Sequence, residues 1–227
     1  MTSSSPLSNK LLASLPRAQF DLLSPHFQVV DIEQGDTLLE TGEEFDQVYF
    51  PHSGMVSLLI VMGDGNAIET ATVGREGVVG AMAGLGIHKS LVRAVVQLPL
   101  TVSRIPAAKF RKACNDSGAT RDLCIRYNEV LLLQARVTAA CNVLHPVEAR
   151  FCRWLLQSAD RAESQTVALT QQFLSEMLGV RRTSVSDVAS GIQERGAITY
   201  SRGVINIVDR VALEGLSCEC YQMLSRP

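Results

Sequence analysis

Residues 166–208 read TVALTQQFLSEMLGVRRTSVSDVASGIQERGAITYSRGVINIV, and this stretch decides the fold of the C-terminal part of the chain. Thr170 is a hydroxyl residue in position to cap a short helix, and Gly179 allows the positive φ that a tight turn after the helix requires. Apolar residues then recur at helical spacing from Val185 to Ile192. The pattern predicts two short helices joined by a turn, with one face of the second helix packed on the first.

Two short β-prone runs, 197–200 and 204–208, follow the second helix and are joined by Ser201-Arg202-Gly203. A hairpin that directly follows two such helices in the sequence indicates a winged helix-turn-helix, in which the second helix enters the major groove of DNA. Polar and basic side chains near the start of that helix would meet base edges, and Arg202 at the tip of the wing would meet phosphates. The candidate DNA-binding residues are Thr170, Gln171, Arg181, Arg182, Thr183, Ser184, Ser186, Asp187 and Arg202.

Arg182 is the residue that we expect to read sequence. A guanidinium can donate two hydrogen bonds to guanine O6 and N7, a contact that discriminates between bases by about 1–3 kcal/mol. Thr183 and the neighbouring serines suit phosphates or looser base contacts. Asp187 has two possible roles, because it could accept from cytosine N4 or orient Arg182.

The formal charge of the chain is −2, and the residues from His145 onward contain equal numbers of basic and acidic side chains. Any attraction to DNA must therefore be local, and it would weaken steeply as the salt concentration rises. The sequence predicts that four arginines, at positions 181, 182, 195 and 202, present their charge on one face.

The N-terminal part of the chain has a different pattern. Residues 7–24 read as short helices, and residues 27–106 contain short β-rich runs separated by Gly and Asp, with a hairpin turn at Gly63-Asp-Gly65-Asn. This spacing predicts a β-roll or jelly roll. The fold class is therefore α+β, with a sensor domain over 1–116, a long dimerisation helix over 117–144 and a DNA-binding domain over 145–227.

The long helix carries residues that step by four and three, the spacing of a coiled-coil seam. Such a seam favours a parallel homodimer, since a helix-turn-helix protein needs two recognition helices; the alternative is that the helix packs on its own domain. His145-Pro146 would then form a hinge, and the polar residues 158–165 a linker. The predicted seam residues are Leu123, Tyr127, Val130, Gln134, Val137, Cys141 and Leu144.

Composition excludes several classes of protein. No stretch approaches the roughly 18 uninterrupted apolar residues of a membrane span, and the polar start lacks the pattern of a signal peptide, so we expect a cytoplasmic protein without a membrane partner.

The six cysteines should then be reduced. Cys218 and Cys220 would point to different faces of a helix, so no metal ligands are predicted. Gly-x-Ser-x-Gly, His-Glu-x-x-His and phosphate-loop motifs are absent, so neither catalytic residues nor a cofactor is expected.

In this order, a roll, a long helix and a winged helix-turn-helix, the chain resembles the bacterial Crp/Fnr family of transcription regulators. The strings Gly35-Asp36, Thr41-Gly42, Tyr49-Phe50, Ser53-Gly54 and Asp64-Gly65 resemble turns of the cyclic-nucleotide-binding fold, and Leu178-Gly-Val-Arg-Arg182-Thr-Ser-Val185 is similar to the recognition motif. Arg182 falls where the family carries its guanine-reading arginine, while Thr183 and Asp187 stand where a glutamate and a second arginine are usual. The resemblance implies binding of double-stranded DNA as a homodimer, with RNA polymerase as a further candidate partner.

The sensor domain departs from the family's cyclic-nucleotide pattern. Gly80 is followed by Ala81 instead of the glutamate that holds the ribose, and the phosphate-binding Arg-Ser pair is replaced near His88-Lys89-Ser90. The candidate effector pocket comprises Gly80, Ala81, His88, Lys89, Ser90 and Arg93. We therefore expect an unidentified small-molecule effector other than cyclic AMP. Two alternatives are an effector-independent DNA binder and a ligand-binding or protein-interaction module that does not bind DNA.

Overall fold

The computed structural model describes residues 5–224, which divide into two compact units. One unit contains the residues up to Ile60 together with Ala71–Leu133, and the other contains Val61–Thr70 together with the residues from Gln134 onward. The division falls inside the long helix, whereas the sequence placed domain boundaries at its two ends. Segment 117–144 is therefore shared between two units and is not a domain of its own.

The N-terminal unit is built on two β-sheets. Its elements are α1 (Lys10–Ser14), α2 (Arg17–Leu23), β1 (Gln28–Ile32), β2 (Thr37–Leu39), β3 (Gln47–Pro51), β4 (Met55–Val61), β5 (Ala67–Val73, of which 67–70 fall in the other unit), β6 (Arg93–Leu98), β7 (Leu100–Pro106) and α3 (Ala107–Asp116). The strand orders in the two sheets are β1-β7-β3 and β2-β6-β4-β5, and this arrangement confirms the predicted β-roll.

Aromatic rings join the roll to the helices around it. The ring of Phe50 packs edge-on against Phe27 and against Phe110, with centroids 5.7 Å apart in both pairs. Phe50 and Phe110 are fully buried, and burial of side chains of this size stabilises a fold by about 1.5–3 kcal/mol each. The β-rich pattern in the sequence thus produces an apolar core shared by the strands and the helices packed on them.

The long helix α4 (Gly118–Leu144) begins where the sequence predicted, because the Ser117 hydroxyl accepts a hydrogen bond from the Thr120 N–H at 3.3 Å. The predicted seam, however, faces inward. Leu123 and Tyr127 lie in the core of the N-terminal unit, while Val137 and Cys141 lie in an apolar cluster of the C-terminal unit.

The remaining predicted seam residues divide in the same way. Gln134 is buried and Val130 is half-buried, whereas Leu144 is exposed. A face with residues three and four apart can pack on the protein's own core as well as on a second helix, and here it does the former. The sequence prediction for the seam is corrected accordingly: a partner helix must contact a different face of α4.

The C-terminal unit is mostly helical and contains a three-stranded antiparallel sheet with strand order β8-β10-β9. Its elements are α5 (Val147–Ala162), β8 (Thr166–Ala168), α6 (Gln171–Leu178), α7 (Arg182–Glu194), β9 (Ile198–Ser201), β10 (Val204–Ile207), α8 (Arg210–Leu216) and α9 (Cys220–Leu224), together with the end of α4.

Two sequence expectations for this unit are wrong. Helix α5 continues to Ala162 with Ser158 completely buried, so the polar residues predicted to form a linker are largely helical. The segment after Asp209 is not one continuous helix, because α8 ends at Leu216 and α9 begins at Cys220. Cys218 therefore lies in a break between helices, and the helical geometry assumed for the cysteine pair does not apply.

Candidate DNA-binding site

The first helix of the motif, α6, is held at both ends by local interactions. The Thr170 hydroxyl accepts a hydrogen bond from the Phe173 N–H at 3.2 Å, which is the predicted N-terminal cap. Gly179 ends the helix with a φ of 62°, and the Val180 N–H after it donates to the Ser175 carbonyl at 3.0 Å. A positive φ at this position is inexpensive only for glycine, so Gly179 sets the turn that directs α7.

Helix α7 packs through the face that the sequence predicted. Val185, Ala189 and Ile192 are buried, and they lie on the side opposite the exposed residues of the helix. The buried guanidinium of Arg150 donates to the carbonyl of Leu178, an oxygen at the end of α6 that the helix itself does not satisfy. The turn between the two helices is thus fixed by packing and by a charged hydrogen bond.

The N-terminal turn of α7 exposes several of the residues that the sequence predicts to contact DNA. Arg181 is the capping residue and Arg182 the first residue of the helix; both are exposed, as are Thr183 and Asp187. Among the described residues, the ion pairs do not include Arg181 or Arg182. Their charge is therefore available to a ligand approaching this end of the helix, where the helix dipole also attracts anions.

The other predicted contacts are less accessible. Ser184, Ser186 and Gln171 are half-buried. The Ser186 hydroxyl donates to the Arg182 carbonyl at 3.2 Å, so part of its hydrogen-bonding capacity is used within α7. Its remaining lone pairs could still accept from a ligand.

The wing lies beside this helix end. Strands β9 and β10 are joined by a two-residue turn in which Arg202 and Gly203 have φ values of 50° and 78°, the left-handed geometry of a tight hairpin. The Leu169 N–H donates to the Gly203 carbonyl at 2.6 Å, which ties the turn to the strand that precedes α6. The exposed side chain of Arg202 is thereby held at the tip of the hairpin.

Tyr200 connects the wing to the reading helix. Its hydroxyl donates to the Leu169 carbonyl at 3.2 Å. Burial raises the pKa of Tyr200, while the nearby positive charge of Arg182 acts to lower it. The Tyr200 N–H donates to the side-chain oxygen of Gln193 on α7 at 2.7 Å, so the wing is tied to this helix by a hydrogen bond.

Arg195 does not belong to this surface. It caps the opposite end of α7 and forms an ion pair with Glu148, whose Oε2 lies 2.5 Å from the guanidinium. The predicted face of four arginines is therefore reduced to Arg181, Arg182 and Arg202. Net charge could not distinguish these positions, because pairing depends on which helix packs behind α7.

In the N-terminal unit, the candidate effector residues flank a short 3-10 helix: Gly80 and Ala81 lie at its start, and the others lie in loop 86–92 after it and at the start of β6. Gly80 has a φ of 85° and leads into a short 3-10 helix, and Ala81 is buried. His88 and Lys89 are exposed. The loop is tied to the segment after β2, since the Gly42 N–H donates to the Ser90 carbonyl at 2.8 Å.

Two side chains of the candidate pocket already have partners. The buried Ser90 hydroxyl donates to the Val92 carbonyl at 2.6 Å. The Arg93 Nε lies 2.9 Å from both carboxylate oxygens of Glu40, and this hydrogen bond holds the pKa of Glu40 below its usual value. An incoming phosphate would have to compete with Glu40 for Arg93, whereas Lys89 is exposed.

The sequence prediction missed one group of potentially functional side chains. Cys141, His145, Cys218 and Cys220 bring their sulfur and nitrogen atoms within 4.8 Å of one another. The hydrogen bond from Cys218 holds the pKa of Cys141 well below that of an ordinary thiol, against the effect of burial. The available signal in the sequence was the spacing of Cys141, near the end of α4, and His145, just after it. That these two residues meet Cys218 and Cys220 could be seen only in the folded structure.

Comparison with known families covers both parts of the chain. Residues 29–117 match the cyclic nucleotide-binding domain, and residues 149–216 match the Crp-like helix-turn-helix domain. A search of curated proteins finds 25% identity over 120 residues with neuropathy target esterase sws of Drosophila persimilis, a match that spans 49% of this chain but only 8% of the fly protein.

Solved structures share the fold over most of the chain. FixK2 from Bradyrhizobium japonicum is 17% identical with a TM-score of 0.71, covering 85% of this chain and 98% of its own. A CRP/FNR-family transcriptional regulator from Thermus thermophilus is 20% identical with a TM-score of 0.68, covering 84% and 98%. The c-di-GMP-responsive regulator CLP of Xanthomonas campestris is 15% identical with a TM-score of 0.69, covering 85% and 99%.

Helices long and apolar enough to cross a membrane do not occur between residues 5 and 224. The winged helix-turn-helix predicted from residues 166–208 coincides with the matched DNA-binding domain, and the predicted roll coincides with the matched sensor domain. The chain therefore belongs to the Crp/Fnr family of DNA-binding transcription regulators and carries a sensor domain of the cyclic-nucleotide-binding type.

Proposed function

We propose that this regulator binds DNA as a homodimer, with the α7 helix of each copy in the major groove of one half of a two-fold-symmetric site. The observation that carries this proposal is the exposed charge of Arg181 and Arg182 at the start of α7, neither of which takes part in an ion pair among the described residues, together with the exposed Arg202 at the tip of the wing. Arg182 reads a guanine in each half-site, and Arg181 and Arg202 bind phosphates. Asp187, one turn further along α7, faces the neighbouring base pair.

The dimer uses the outer face of α4. Ile125, Leu132 and Ala139 are exposed and lie one heptad apart, and Val143 continues the same stripe with 83% of its surface exposed. Apolar side chains at this spacing are what a parallel coiled coil buries. Such a dimer binds a two-fold-symmetric site if its recognition helices lie about 34 Å apart, the distance between successive major grooves on one side of DNA.

The sensor domain binds an effector other than cyclic AMP. Ala81 supplies no carboxylate for a ribose, and Arg93 is held by Glu40, so the polar groups on which the cyclic-nucleotide pattern depends are missing or occupied. CLP, which is described as responsive to c-di-GMP, shows that other ligands act on this fold. The exposed cation Lys89 favours an anionic effector, and an effector-independent regulator is the alternative.

The protein acts by binding and not by catalysis, in the cytoplasm, where its DNA target lies. RNA polymerase is a further partner when the operator lies beside a promoter. The matched helix-turn-helix domain, with its exposed cations and hydroxyl groups, supports these proposals.

Selection from a random pool of duplex DNA tests the function directly. The wild-type protein should enrich a symmetric site with half-sites about 10 base pairs apart. Arg182→Ala should lose discrimination at one guanine per half-site by roughly 10- to 100-fold. Arg202→Ala should weaken binding to all sequences and reduce the salt dependence by about one phosphate contact.

Arg17→Ala is the matched control, since Arg17 is an exposed arginine in the N-terminal unit, paired with Asp21 on α2. It should bind as the wild type does. Absence of an enriched site, both for the purified protein and in a cell extract that supplies small molecules, would refute the proposal. Enrichment that survives Arg182→Ala unchanged would refute the assigned role of Arg182.

A further inference from the structure

Three cysteines and one histidine meet at the end of α4. Cys141 and His145 are four residues apart, and the His145 N–H still donates to the Cys141 carbonyl at 3.1 Å, so both side chains leave the same face of the chain. Cys218 lies in the break between α8 and α9, and Cys220 is the first residue of α9. All four belong to the C-terminal unit.

The separations between the ligand atoms are those of a metal site. The sulfurs of Cys141 and Cys218 are 3.5 Å apart, and the Cys220 sulfur lies 3.7 Å from Nδ1 of His145. A tetrahedral Zn²⁺ with ordinary bond lengths separates two sulfurs by about 3.8 Å, and a sulfur from a nitrogen by about 3.6 Å. These two separations are within a few tenths of an ångström of the zinc values, and all four ligand atoms lie within 4.8 Å of one another. A zinc ion can therefore be reached by all four atoms with side-chain shifts of about 1 Å or less.

The surroundings of His145 suit a histidine that binds a metal ion. Nε2 of His145 lies 3.2 Å from a carboxylate oxygen of Glu219, the residue between the two C-terminal cysteines. A histidine that binds a metal through one nitrogen commonly donates its other N–H to a carboxylate, which fixes the tautomer and the ring orientation. Here Glu219 would fix the proton on Nε2 and leave the lone pair of Nδ1 directed towards the sulfurs.

A second, independent observation is a local excess of buried positive charge. Arg150 and Arg153 on α5 are only 7% and 6% exposed. Arg150 donates to a backbone carbonyl and Arg153 to the amide oxygen of Gln157, and in both residues the buried Nε has no hydrogen-bond partner among the described atoms. Neither takes part in an ion pair with a carboxylate in the described part of the chain.

Buried guanidinium groups require a negative counter-charge. Both arginines act electrostatically on the cysteines of this cluster. Three cysteine thiolates, one neutral histidine and Zn²⁺ carry a net charge of −1, and binding releases the thiol protons to solvent. Such a site compensates part of the arginine charge while remaining less negative than three free thiolates.

We propose that Cys141, His145, Cys218 and Cys220 form a tetrahedral Zn²⁺ site that fastens the C-terminal segment to the end of α4. The four protein ligands leave no open coordination position, so the site is structural and not catalytic. The metal joins residues more than seventy positions apart in the sequence. It fixes α8 and α9 against the end of α4, within the C-terminal unit.

Metal analysis of the full-length protein tests the proposal. The chain, purified in reductant with any affinity tag removed, should contain one zinc per chain by mass spectrometry. The metal-free protein should bind Co²⁺ with the absorption of a tetrahedral thiolate site. Cys218→Ser and His145→Gln should lose most of this binding, while Cys114→Ser should retain it.

Cys114 is a matched control because it is buried and its sulfur lies 3.8 Å from that of Cys124, while among residues 5–224 this pair is not part of a cluster of potential metal ligands. Glu219→Gln tests the site without changing a buried residue, because the Glu219 side chain is exposed. All four ligands remain in this variant, and its zinc affinity should be about 10- to 100-fold lower than that of the wild type. These measurements do not depend on DNA binding, so failure of the operator proposal would leave them unaffected.

Reduced protein that contains no zinc and takes up no Co²⁺ would refute the proposal. Zinc content unchanged by Cys218→Ser, or iron in place of zinc, would refute it as well. A Cys141–Cys218 disulfide that persists in protein isolated under reductant would show that the cluster is a redox pair instead.

Discussion

The DNA-binding surface of the C-terminal unit and the candidate effector pocket of the N-terminal unit use their polar side chains in opposite ways. Arg181, Arg182 and Arg202 are exposed and unpaired among the described residues, so the reading surface is ready for an anion before DNA arrives. In the sensor, Arg93 is held by Glu40 and Ser90 by a backbone carbonyl. The contrast indicates that the reading surface can meet an anion without breaking an internal contact, whereas an anion that binds through Arg93 or Ser90 must first displace one.

The largest expected effect comes from separating the two copies. If each reading surface is complete by itself, affinity for a symmetric operator depends on holding two of them together. Leu132→Glu places a charge on the outer face of α4 and should yield a monomer, with operator affinity reduced by at least about 100-fold. Sedimentation and binding to a single half-site and to the whole operator measure both effects.

Leu22→Glu is the control, because Leu22 is an exposed leucine on α2 with 54% of its surface accessible. It should remain dimeric. A Leu132→Glu protein that stays dimeric would show that the helices meet elsewhere.

The next effect distinguishes the arginines of α7. Arg181→Ala should weaken DNA binding by roughly 10-fold at low salt and lower the slope of log affinity against log salt by about one. Arg195→Ala should leave that slope unchanged, because Glu148 already neutralises Arg195 at the far end of the helix. Equal slopes for the two variants would contradict the assignment of the reading surface to the N-terminal end of α7.

A smaller effect separates the two possible roles of Thr170, which caps α6 and is also a candidate DNA contact. Thr170→Ala should lower the free energy of unfolding by about 1 kcal/mol, the usual cost of losing a cap. Thr170→Asp restores the cap but sets a negative charge beside the DNA. It should therefore unfold like the wild type in urea yet bind the operator several-fold more weakly, whereas wild-type affinity would show that Thr170 only caps.

The features that the sequence predicted correctly are local. The Thr170 cap, the Gly179 turn and the Arg202-Gly203 hairpin depend on residues within a few positions of each other, so the pattern contains all that is needed. The same holds for the alternation of short strands and glycines that predicted the roll.

The corrected features depend on contacts between distant elements. Cys141 was placed in a dimer seam because its spacing fits one, but Cys218, far along the chain, packs against it. Arg195 was counted as free because Glu148 lies 47 residues away in sequence. Periodicity shows that a face is apolar or charged, and it does not show which element covers that face.

The smallest expected effect concerns the Arg93–Glu40 pair, where the sensor differs most from the reading surface. Both side chains are about one-third exposed, so the pair should contribute less than about 1 kcal/mol to stability. The pKa of Glu40 is lower in the folded protein than its usual value. The contribution is therefore fully present near neutral pH and disappears as the pH falls through the folded pKa of Glu40.

A double-mutant cycle with Arg93→Gln and Glu40→Gln measures the coupling free energy between the two side chains. The unfolding in urea is followed at neutral pH and again at a pH below the usual pKa of a glutamate side chain. The coupling should be favourable at neutral pH and close to zero in acid. Glu40→Gln alone also releases the Arg93 guanidinium, so this variant should bind inorganic phosphate or an anionic nucleotide more tightly than the wild type does. Unchanged anion binding together with a measurable coupling would mean that Arg93 is a structural residue of the roll, which would favour the effector-independent regulator.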